Sequence, residues 1–182
     1  MKFEPLEIHG AFKITPQRLD DNRGAFARVY CDDEFSQNGL NTHWLQMNTS
    51  INTVKGTVRG LHFQRAPFAE IKLVRCVRGK IRDVFLDLRK GSDTFGVVCA
   101  VDLNSDDFES VYIPTGCAHG FQTLSDNVEI HYCHSAPYHP SAEGAVNLND
   151  PELAIEWPLP ISNISERDKT HPSLSTIEPI SL

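Results

Sequence analysis

Short segments rich in β-branched, aliphatic and aromatic residues recur along the chain, and turn residues separate them. Segments of this character are residues 26–30, 44–51, 58–63, 71–77, 81–88, 95–103, 110–113 and 128–133. Glycines with polar neighbours, such as Gly56, Gly79 and Gly91, lie between them. Regularly spaced short strands with such turns are typical of a β-sandwich or β-barrel. The pattern therefore predicts a mainly β fold.

Two regions depart from the strand pattern. A short helix is predicted at residues 32–38, because Asp32 is a residue type that caps helices and Gly39 fits the left-handed position after the last turn. The C-terminal part contains prolines at positions 151, 158, 160, 172 and 179. We expect it to be irregular, with one helical turn at residues 165–168, and to wrap over the β core.

Composition narrows the class of protein. A chain of 182 residues has the size of one domain, residues 1–182, and its net charge is −7. No broad basic surface is expected, so neither nucleic acid nor a membrane is an expected partner. The sequence has no apolar run of transmembrane length and no signal-peptide pattern. The five cysteines are an odd number without close C-x-x-C pairs, which favours reduced thiols and a cytoplasmic location, and no pair has zinc-site spacing.

Polar residues interrupt three of the apolar segments. In V-R-G-L-H-F-Q, Arg59 and His62 stand in a predicted strand. In E-I-K-L-V-R, Lys72 shares a strand face with Glu70 and is a candidate for an inward-facing lysine, although edge strands also carry lysines. In I-P-T-G-C-A-H-G-F, the spacing Pro-x-Gly-x-x-His resembles the second half of the cupin motif, whose histidine points into the barrel. That resemblance makes His119 a candidate for the barrel interior.

Convergent polar groups inside a small barrel indicate a ligand site. Metal-dependent cupins usually supply H-x-H and then a glutamate, whereas this chain has His62-Phe63-Gln64. His62, Glu70 and His119 remain an alternative metal site with two histidines and one carboxylate. The positive charge of Lys72, on the same face as Glu70, argues against it.

A longer set of motifs points to one family. The chain contains, in order, D-N-R-G-A-F, K-G-T-V-R-G-L-H-F-Q, K-L-V-R, D-V-F-L-D-L-R with S-D-T-F-G, I-P-x-G-x-A-H-G-F, N-D-P-x-x-x-I-x-W-P and S-E-R-D. Together they resemble the dTDP-4-dehydrorhamnose 3,5-epimerase family from Asp21 to Asp168. The resemblance implies a cupin-like jelly-roll β-barrel or sandwich with a few short helices, and an isomerase that acts on a nucleotide-linked 4-keto-6-deoxyhexose.

The resemblance also implies roles for particular side chains. A base removes the acidic hydrogen at C3 or C5 beside the C4 carbonyl, and an acid returns a proton to the opposite face. His62 would be the base, with Asp168 orienting it. Lys72 would stabilise the enolate oxygen, and Tyr132 would be the acid. Neither a cofactor nor a metal is expected.

Binding residues follow from the same comparison. Arg59 would pair with the diphosphate, to which its planar guanidinium is suited, and Arg23 and Arg167 are the family's further arginines. His119 and Asp83 would hold the lysine and the sugar hydroxyls. The remaining pocket residues implied are Gln46, Asn48, Phe26 and Tyr138. A homodimer with exchange of N-terminal strands is also implied, in which Arg23 and Phe26 complete the partner's site.

The match to the family is incomplete at three places. Glu70 stands where glutamine is frequent, Arg28 where an acidic residue is frequent, and no arginine lies near Gly144. These differences bear on which nucleotide and sugar are used. A mono-epimerase that acts on one centre of a related nucleotide sugar remains an alternative. A sugar-binding cupin without catalysis is disfavoured because the base, its orienting carboxylate, the lysine and the tyrosine are all present.

Overall fold

Two antiparallel β-sheets packed face to face form the body of the protein, in a computed structural model that describes residues Met1–Leu182. The strands are β1 (Lys2–Pro5), β2 (Phe12–Thr15), β3 (Arg18–Asp21), β4 (Gly24–Ala27), β5 (Gln46–Asn52), β6 (Val58–Gln64), β7 (Lys72–Arg78), β8 (Lys80–Asp87), β9 (Val98–Asn104), β10 (Ser110–Ile113), β11 (Cys117–Thr123), β12 (Val128–His134) and β13 (Glu143–Ala145). The helices are α1 (Asp32–Gln37) and α2 (Glu166–Lys169), with 3₁₀ turns at Ser105–Asp107 and Leu174–Thr176. The predicted mainly β fold with a few short helices is confirmed.

The strand order mixes distant parts of the chain. One sheet has the order β1-β2-β10-β7-β12-β5, the other has the order β13-β6-β11-β8-β9, and β3 and β4 form a separate hairpin. Apart from the consecutive pairs β1–β2 and β8–β9, neighbours within a sheet therefore come from separate regions of the sequence. Residues far apart along the chain, such as those of β6 and β13, are brought side by side, which allows a site to be assembled from several segments.

The space between the sheets is apolar over most of its length. Val74, Phe85 and Phe121 belong to a cluster of 15 buried residues that both sheets contribute. Lys72 precedes Val74 by two positions and His119 precedes Phe121 by two, so strand alternation directs both into the same space. Each is buried. The inward orientation that the sequence predicted for Lys72 and His119 is confirmed.

The outer faces of both sheets are also covered. The C-terminal segment packs Leu148, Leu153 and Ile180 against the outer face of the five-stranded sheet, where they join Leu61 and Phe63 of β6 in a second buried cluster. The predicted wrapping of the tail over the β core is thus confirmed. On the other sheet, α1 buries its Phe35 in a third cluster with residues of β2, β7 and β10.

The helix boundaries differ slightly from the prediction. The N-cap of α1 is Cys31, with no side-chain cap, so the expected capping role of Asp32 is wrong. Asp32 begins the first turn instead, where its carboxylate suits the partial positive charge of the helix N-terminus. Gly39 has a φ of 70°, as expected. In α2, Ser165 is the N-cap, and its hydroxyl accepts a hydrogen bond from the Asp168 N–H at 3.0 Å.

Several strand boundaries also shift, most of all at β4, which ends at Ala27, and at β9, which begins at Val98. No helix of the protein combines the length and the apolar character needed to cross a membrane.

Candidate active site

A β-bulge in β6 explains how Arg59 and His62 reach one cavity. His62 pairs with His119 on β11, and Arg59 pairs with Phe121, so β6 carries one residue more than its partner between these pairs. Residues three apart on a regular strand point to opposite faces, and the extra residue lets both line the same cavity. At the bulge, Gly60 has a φ of 122°, and a Cβ there would lie 2.6 Å from the Cα of Gly120. Only glycine fits this close approach of the two strands.

The cavity has a volume of about 330 Å³ and a polar lining. Strands β6, β11 and β12 supply one part of its wall and the α2 region supplies the rest. The side chains that carry ionisable groups there are Arg59, His62, His119, Tyr132, Arg167 and Asp168. All six were predicted site residues, and the fold brings them together.

His62 and Asp168 form a hydrogen-bonded pair across 106 positions of sequence, with His62 Nε2 at 2.9 Å from Asp168 Oδ1. The carboxylate is almost fully buried, and its Oδ2 faces the Gly60 N–H at 3.4 Å. Burial raises the pKa of Asp168, but its contacts with His62, His171 and the Gly60 N–H outweigh burial and hold the pKa below its usual value. Asp168 is therefore an ionised acceptor that fixes the orientation of the imidazole ring.

The other nitrogen of His62 faces a second carboxylate. Glu143 Oε1 lies 3.3 Å from His62 Nδ1. Oε2 of the same residue forms an ion pair with Arg167 at 2.7 Å and accepts a hydrogen bond from the Tyr138 hydroxyl at 2.8 Å. Both ring nitrogens can donate only when the ring is protonated. Sequence reasoning missed Glu143. The signal that locates it is the pairing of β13 with β6, in which Ala145 lies opposite His62.

A second cavity, of about 320 Å³, adjoins the first at His62. Among the predicted residues, Gln46, Asn48, Lys72 and Tyr138 line it. Gln46 Oε1 accepts a hydrogen bond from the Tyr138 N–H at 3.0 Å, which ties β5 to the loop before β13. His134, which the sequence analysis did not single out, also lines this cavity. Burial and then the charge of Lys72 lower the pKa of His134 to about 4, so its ring is neutral near pH 7.

Lys72, at the start of β7, is held by a carboxylate from the segment just before that strand. Its ammonium group forms a buried ion pair with Glu70, whose second oxygen accepts a hydrogen bond from Gln64 Nε2 at 2.8 Å. The expectation that His119 and Asp83 hold this lysine is wrong. Those two side chains bond to each other instead, with His119 Nε2 at 2.7 Å from Asp83 Oδ1.

The alternative metal set is not brought together either. Glu70 is engaged by Lys72, and His119 is engaged by Asp83. The ligand atoms that do converge, all within 4.8 Å of one another, belong to His62, Asp168 and His171.

Tyr132 and Arg59 are each oriented by neighbours. Burial, followed by the charge of Asp83, raises the pKa of Tyr132 well above its usual value, so the phenol keeps its proton. Its ring meets that of His119 edge to face, with the ring centres 6.0 Å apart. Arg59 Nε donates to the Asn52 side-chain oxygen at 2.7 Å. Asn52, on β5, is a supporting residue that the sequence did not reveal.

Three predicted residues line neither cavity: Asp83, which is fully buried and bonded to His119, and the pair Arg23 and Phe26. Arg23 and Phe26 belong to the β3–β4 hairpin, where Arg23 pairs with Asp21 and Phe26 is 69% exposed. Within one chain, the fold does not bring them to His62.

A histidine oriented by a carboxylate, a buried lysine and a partly buried, protonated tyrosine surround two adjoining cavities inside a β-sandwich. These groups define an enzyme of the acid–base class, which moves protons on a bound small molecule. Comparison with known proteins narrows that class. A sequence model of dTDP-4-dehydrorhamnose 3,5-epimerase matches residues 5–176. The chain belongs to the dTDP-4-dehydrorhamnose 3,5-epimerase family.

Individual relatives match over almost the whole chain. A dTDP-4-dehydrorhamnose 3,5-epimerase of Sinorhizobium fredii is 39% identical over 96% of this chain and 90% of its own. A dTDP-4-dehydrorhamnose 3-epimerase of Streptomyces niveus is 40% identical over 93% and 82%. The crystal structure of a Legionella pneumophila dTDP-6-deoxy-D-glucose-3,5-epimerase, in complex with dTDP-4-keto-L-rhamnose, superimposes with a TM-score of 0.91 at 33% identity, covering 97% of this chain and 94% of that one.

These matches confirm the predicted family, its isomerase class and its cupin-like jelly-roll fold.

Proposed function

We propose that the protein epimerises a nucleotide-linked 4-keto-6-deoxyhexose at both C3 and C5, turning dTDP-4-dehydro-6-deoxyglucose into dTDP-4-dehydrorhamnose. The observation that carries this proposal is the 2.9 Å contact between His62 and Asp168 at the junction of the two cavities. Family membership supplies the type of substrate, and the pair supplies the base that the reaction needs.

His62 is the proposed base. Asp168 accepts the Nε2 proton, so the neutral ring carries its lone pair on Nδ1. In the free enzyme Glu143 faces Nδ1, and the bound substrate replaces Glu143 beside that nitrogen. Removal of the hydrogen at C3 or C5 places negative charge on the C4 oxygen, where the Lys72 ammonium stabilises it. Tyr132 returns a proton to the opposite face of the ring, which inverts the centre.

Positive charge near the first cavity suits the nucleotide diphosphate. Arg59 and Arg167 both line that cavity. A planar guanidinium group can bind two phosphate oxygens at once. The dTDP-4-keto-L-rhamnose in the Legionella pneumophila enzyme is a ligand of this type. Gln46, Asn48 and Tyr138 line the second cavity and are the proposed contacts of the substrate there. His119 and Asp83, hydrogen-bonded to each other, are proposed to contact the sugar hydroxyls.

We also propose a homodimer with exchange of N-terminal strands, in which Arg23 and Phe26 complete the partner's site. Support comes from exposed apolar side chains on the β3–β4 hairpin and on the edge strand β5, among them Phe26, Met47 and Ile51. Mixing Arg23→Ala with His62→Ala protein tests this. Exchange of subunits creates one site that lacks both defects, so activity is expected to return, whereas sites built from one chain would stay inactive. The free cysteines support a cytoplasmic location.

Proton exchange provides the direct test of the function. The protein is incubated in heavy water with dTDP-4-dehydro-6-deoxyglucose and a chelator, and the C3 and C5 proton signals are followed by NMR. Both signals are expected to disappear. His62→Ala is the matched variant: it should show no exchange while still binding dTDP by calorimetry. Loss of binding together with exchange would give His62 a binding role and contradict the proposal.

The second candidate is a mono-epimerase, and the similarity to the Streptomyces niveus 3-epimerase is what favours it. It predicts loss of the C3 signal alone. Exchange at neither carbon, beside a working control enzyme, would overturn both candidates.

A further inference from the structure

Three side chains that prefer metal ions converge at the edge of the proposed active site. His62 Nε2 and His171 Nε2 both face the same atom, Asp168 Oδ1, at 2.9 and 3.2 Å. The three ligand atoms all lie within 4.8 Å of one another. Asp168 and His171 belong to the C-terminal segment, whereas His62 lies on β6.

We propose that Zn²⁺ binds His62, Asp168 and His171, and that its binding reversibly blocks proton abstraction by His62. The zinc site rests on the geometry of these three residues, whereas the inhibition rests on the proposed function. Two imidazoles and one carboxylate are a donor set that zinc accepts, with a fourth position left for water.

The distances fit a tetrahedral ion. Zinc–nitrogen and zinc–oxygen bonds are about 2.0 to 2.2 Å long, so neighbouring ligand atoms around tetrahedral zinc are about 3.3 Å apart. The two nitrogen–oxygen separations around Asp168 Oδ1, 2.9 and 3.2 Å, need only a small expansion to reach this value. His171 and Asp168 have little freedom to spread apart, because their side chains are only 11% and 7% exposed. His62, at 32%, remains accessible from the cavity.

Glu143 supplies the outer support that zinc-bound histidines usually have. A ligating histidine commonly donates its other ring N–H to a carboxylate, which fixes the tautomer that the metal needs. Glu143 Oε1 lies 3.3 Å from His62 Nδ1 and can accept that proton. Glu143 is itself held by Arg167 and Tyr138.

Zinc on Nε2 removes the base. The neutral ring changes tautomer: its single proton passes through solvent from Nε2 to Nδ1, where Glu143 can accept it, and the freed Nε2 lone pair binds the ion. Neither nitrogen then has a free lone pair with which to take a proton from the sugar. The same ion occupies Asp168, which otherwise orients the ring.

Most of the charges near the three ligand atoms are already paired, which leaves Asp168 as the carboxylate available to the dication. Asp168 and Glu143 place a carboxylate beside each nitrogen of the His62 ring, and Arg167 neutralises Glu143. The ammonium of Lys72 is neutralised by Glu70. Arg59, which lines the same cavity, bonds to the neutral Asn52 and is the cation that opposes zinc.

The test compares zinc binding with exchange activity in matched variants of the full chain. Zinc affinity and stoichiometry are measured by competition with a chromophoric chelator. His171→Ala removes one ligand. His171→Gln keeps a hydrogen-bond donor beside Asp168 without an imidazole, in case the alanine variant folds poorly. His131→Ala is the control, because His131 is an exposed histidine beside Glu129 and lies on neither cavity.

Wild-type protein and His131→Ala are expected to bind one zinc ion per chain and to lose deuterium exchange when it binds. Both His171 variants should bind at least about tenfold more weakly. Zinc should then inhibit them correspondingly less, relative to the zinc-free rate of each variant. Equal affinity in all four proteins would overturn the proposal and assign zinc to the surface.

The same experiment distinguishes a failure of the proposed function from a failure of the zinc site. If the wild-type protein shows no exchange without zinc, the proposed function fails, and the affinity difference between wild type and the His171 variants still decides the site. If exchange occurs but saturating zinc does not affect it, the proposed inhibition is wrong and the proposed function is retained.

Discussion

Lys72, the first residue of β7, and Glu70, two positions before it, form a buried ion pair at the wall of the cavity that contains His62. Their side chains are 9% and 5% exposed. A buried pair of this kind stabilises the fold only while both charges are present, because either charge alone would be desolvated without compensation. The pair therefore couples the proposed catalytic cation to the stability of the protein.

Replacement of Lys72 by methionine is expected to lower kcat about 10²- to 10³-fold, because the enolate oxygen loses its cation. The same change should cost about 3 kcal/mol of unfolding free energy, since Glu70 is left as an unpaired buried charge. The double variant Lys72→Met/Glu70→Gln should recover stability without recovering kcat. Denaturant unfolding and steady-state rates measure the two quantities. Recovery of kcat together with stability would mean that Lys72 acts only through the fold.

Tyr132→Phe separates proton removal from proton return. The variant lacks the phenolic proton but keeps His62, so the hydrogen at the first centre should still exchange with heavy water. Inversion of that centre should fall by about 10²-fold or more, since general acid catalysis contributes about that much. NMR measures exchange and product in one sample. If exchange and inversion fall in equal proportion, Tyr132 does not act after the enolate has formed.

Arg59→Ala is expected to weaken dTDP binding chiefly and to change kcat little, because the diphosphate lies away from the reacting carbons. Asn52→Ala is the companion variant. It leaves the guanidinium in place but removes the 2.7 Å hydrogen bond that orients it. Calorimetry should show a smaller loss of dTDP affinity for Asn52→Ala than for Arg59→Ala. An effect of Arg59→Ala on kcat alone would contradict the diphosphate assignment.

Asp87 should make the fold sensitive to acid. Burial raises its pKa, but hydrogen bonds from Arg89, Ser92 and Thr94 outweigh burial and lower the pKa from 3.8 to about 2. A carboxyl whose pKa is lower in the folded state stabilises the protein above its unfolded pKa, and this contribution disappears as the pH falls toward the folded value.

The stability difference between wild type and Asp87→Asn should therefore shrink by about 2 kcal/mol as the pH falls from about 5 to about 2. Urea unfolding at a series of pH values measures it. A difference that stays constant over this range would show that the Asp87 hydrogen bonds do not favour its ionised form.

Much of the fold could be predicted because local pattern and tertiary structure agree. Residues 58–63 and 110–113 were predicted as strands, and β6 (Val58–Gln64) and β10 (Ser110–Ile113) occupy them. Strand alternation also gave the inward orientation of Lys72. Where an extra residue breaks alternation, as at Gly60, the pattern could not show that Arg59 and His62 point into one cavity.

The missed site residues are those defined by contacts between distant segments. Glu143 meets His62 across 81 positions of sequence, and His171 lies beside Asp168 in the irregular C-terminal part. Neither has a local pattern that distinguishes it from an ordinary surface residue. Similarly, the orientation of Arg59 by Asn52 depends on how β5 lies against the cavity, which no periodicity encodes.

The C-terminal segment packs on the outside of the five-stranded sheet and carries Arg167 and Asp168 to the site from there. If it lifts away, both sheets keep their hydrogen bonds, yet His62 loses the carboxylate that holds its ring. Segments attached at a sheet surface open at lower free-energy cost than the strands beneath them. We therefore expect heating to abolish the activity of this protein at a lower temperature than it unfolds the two sheets, and the packing of the C-terminal segment to set that temperature.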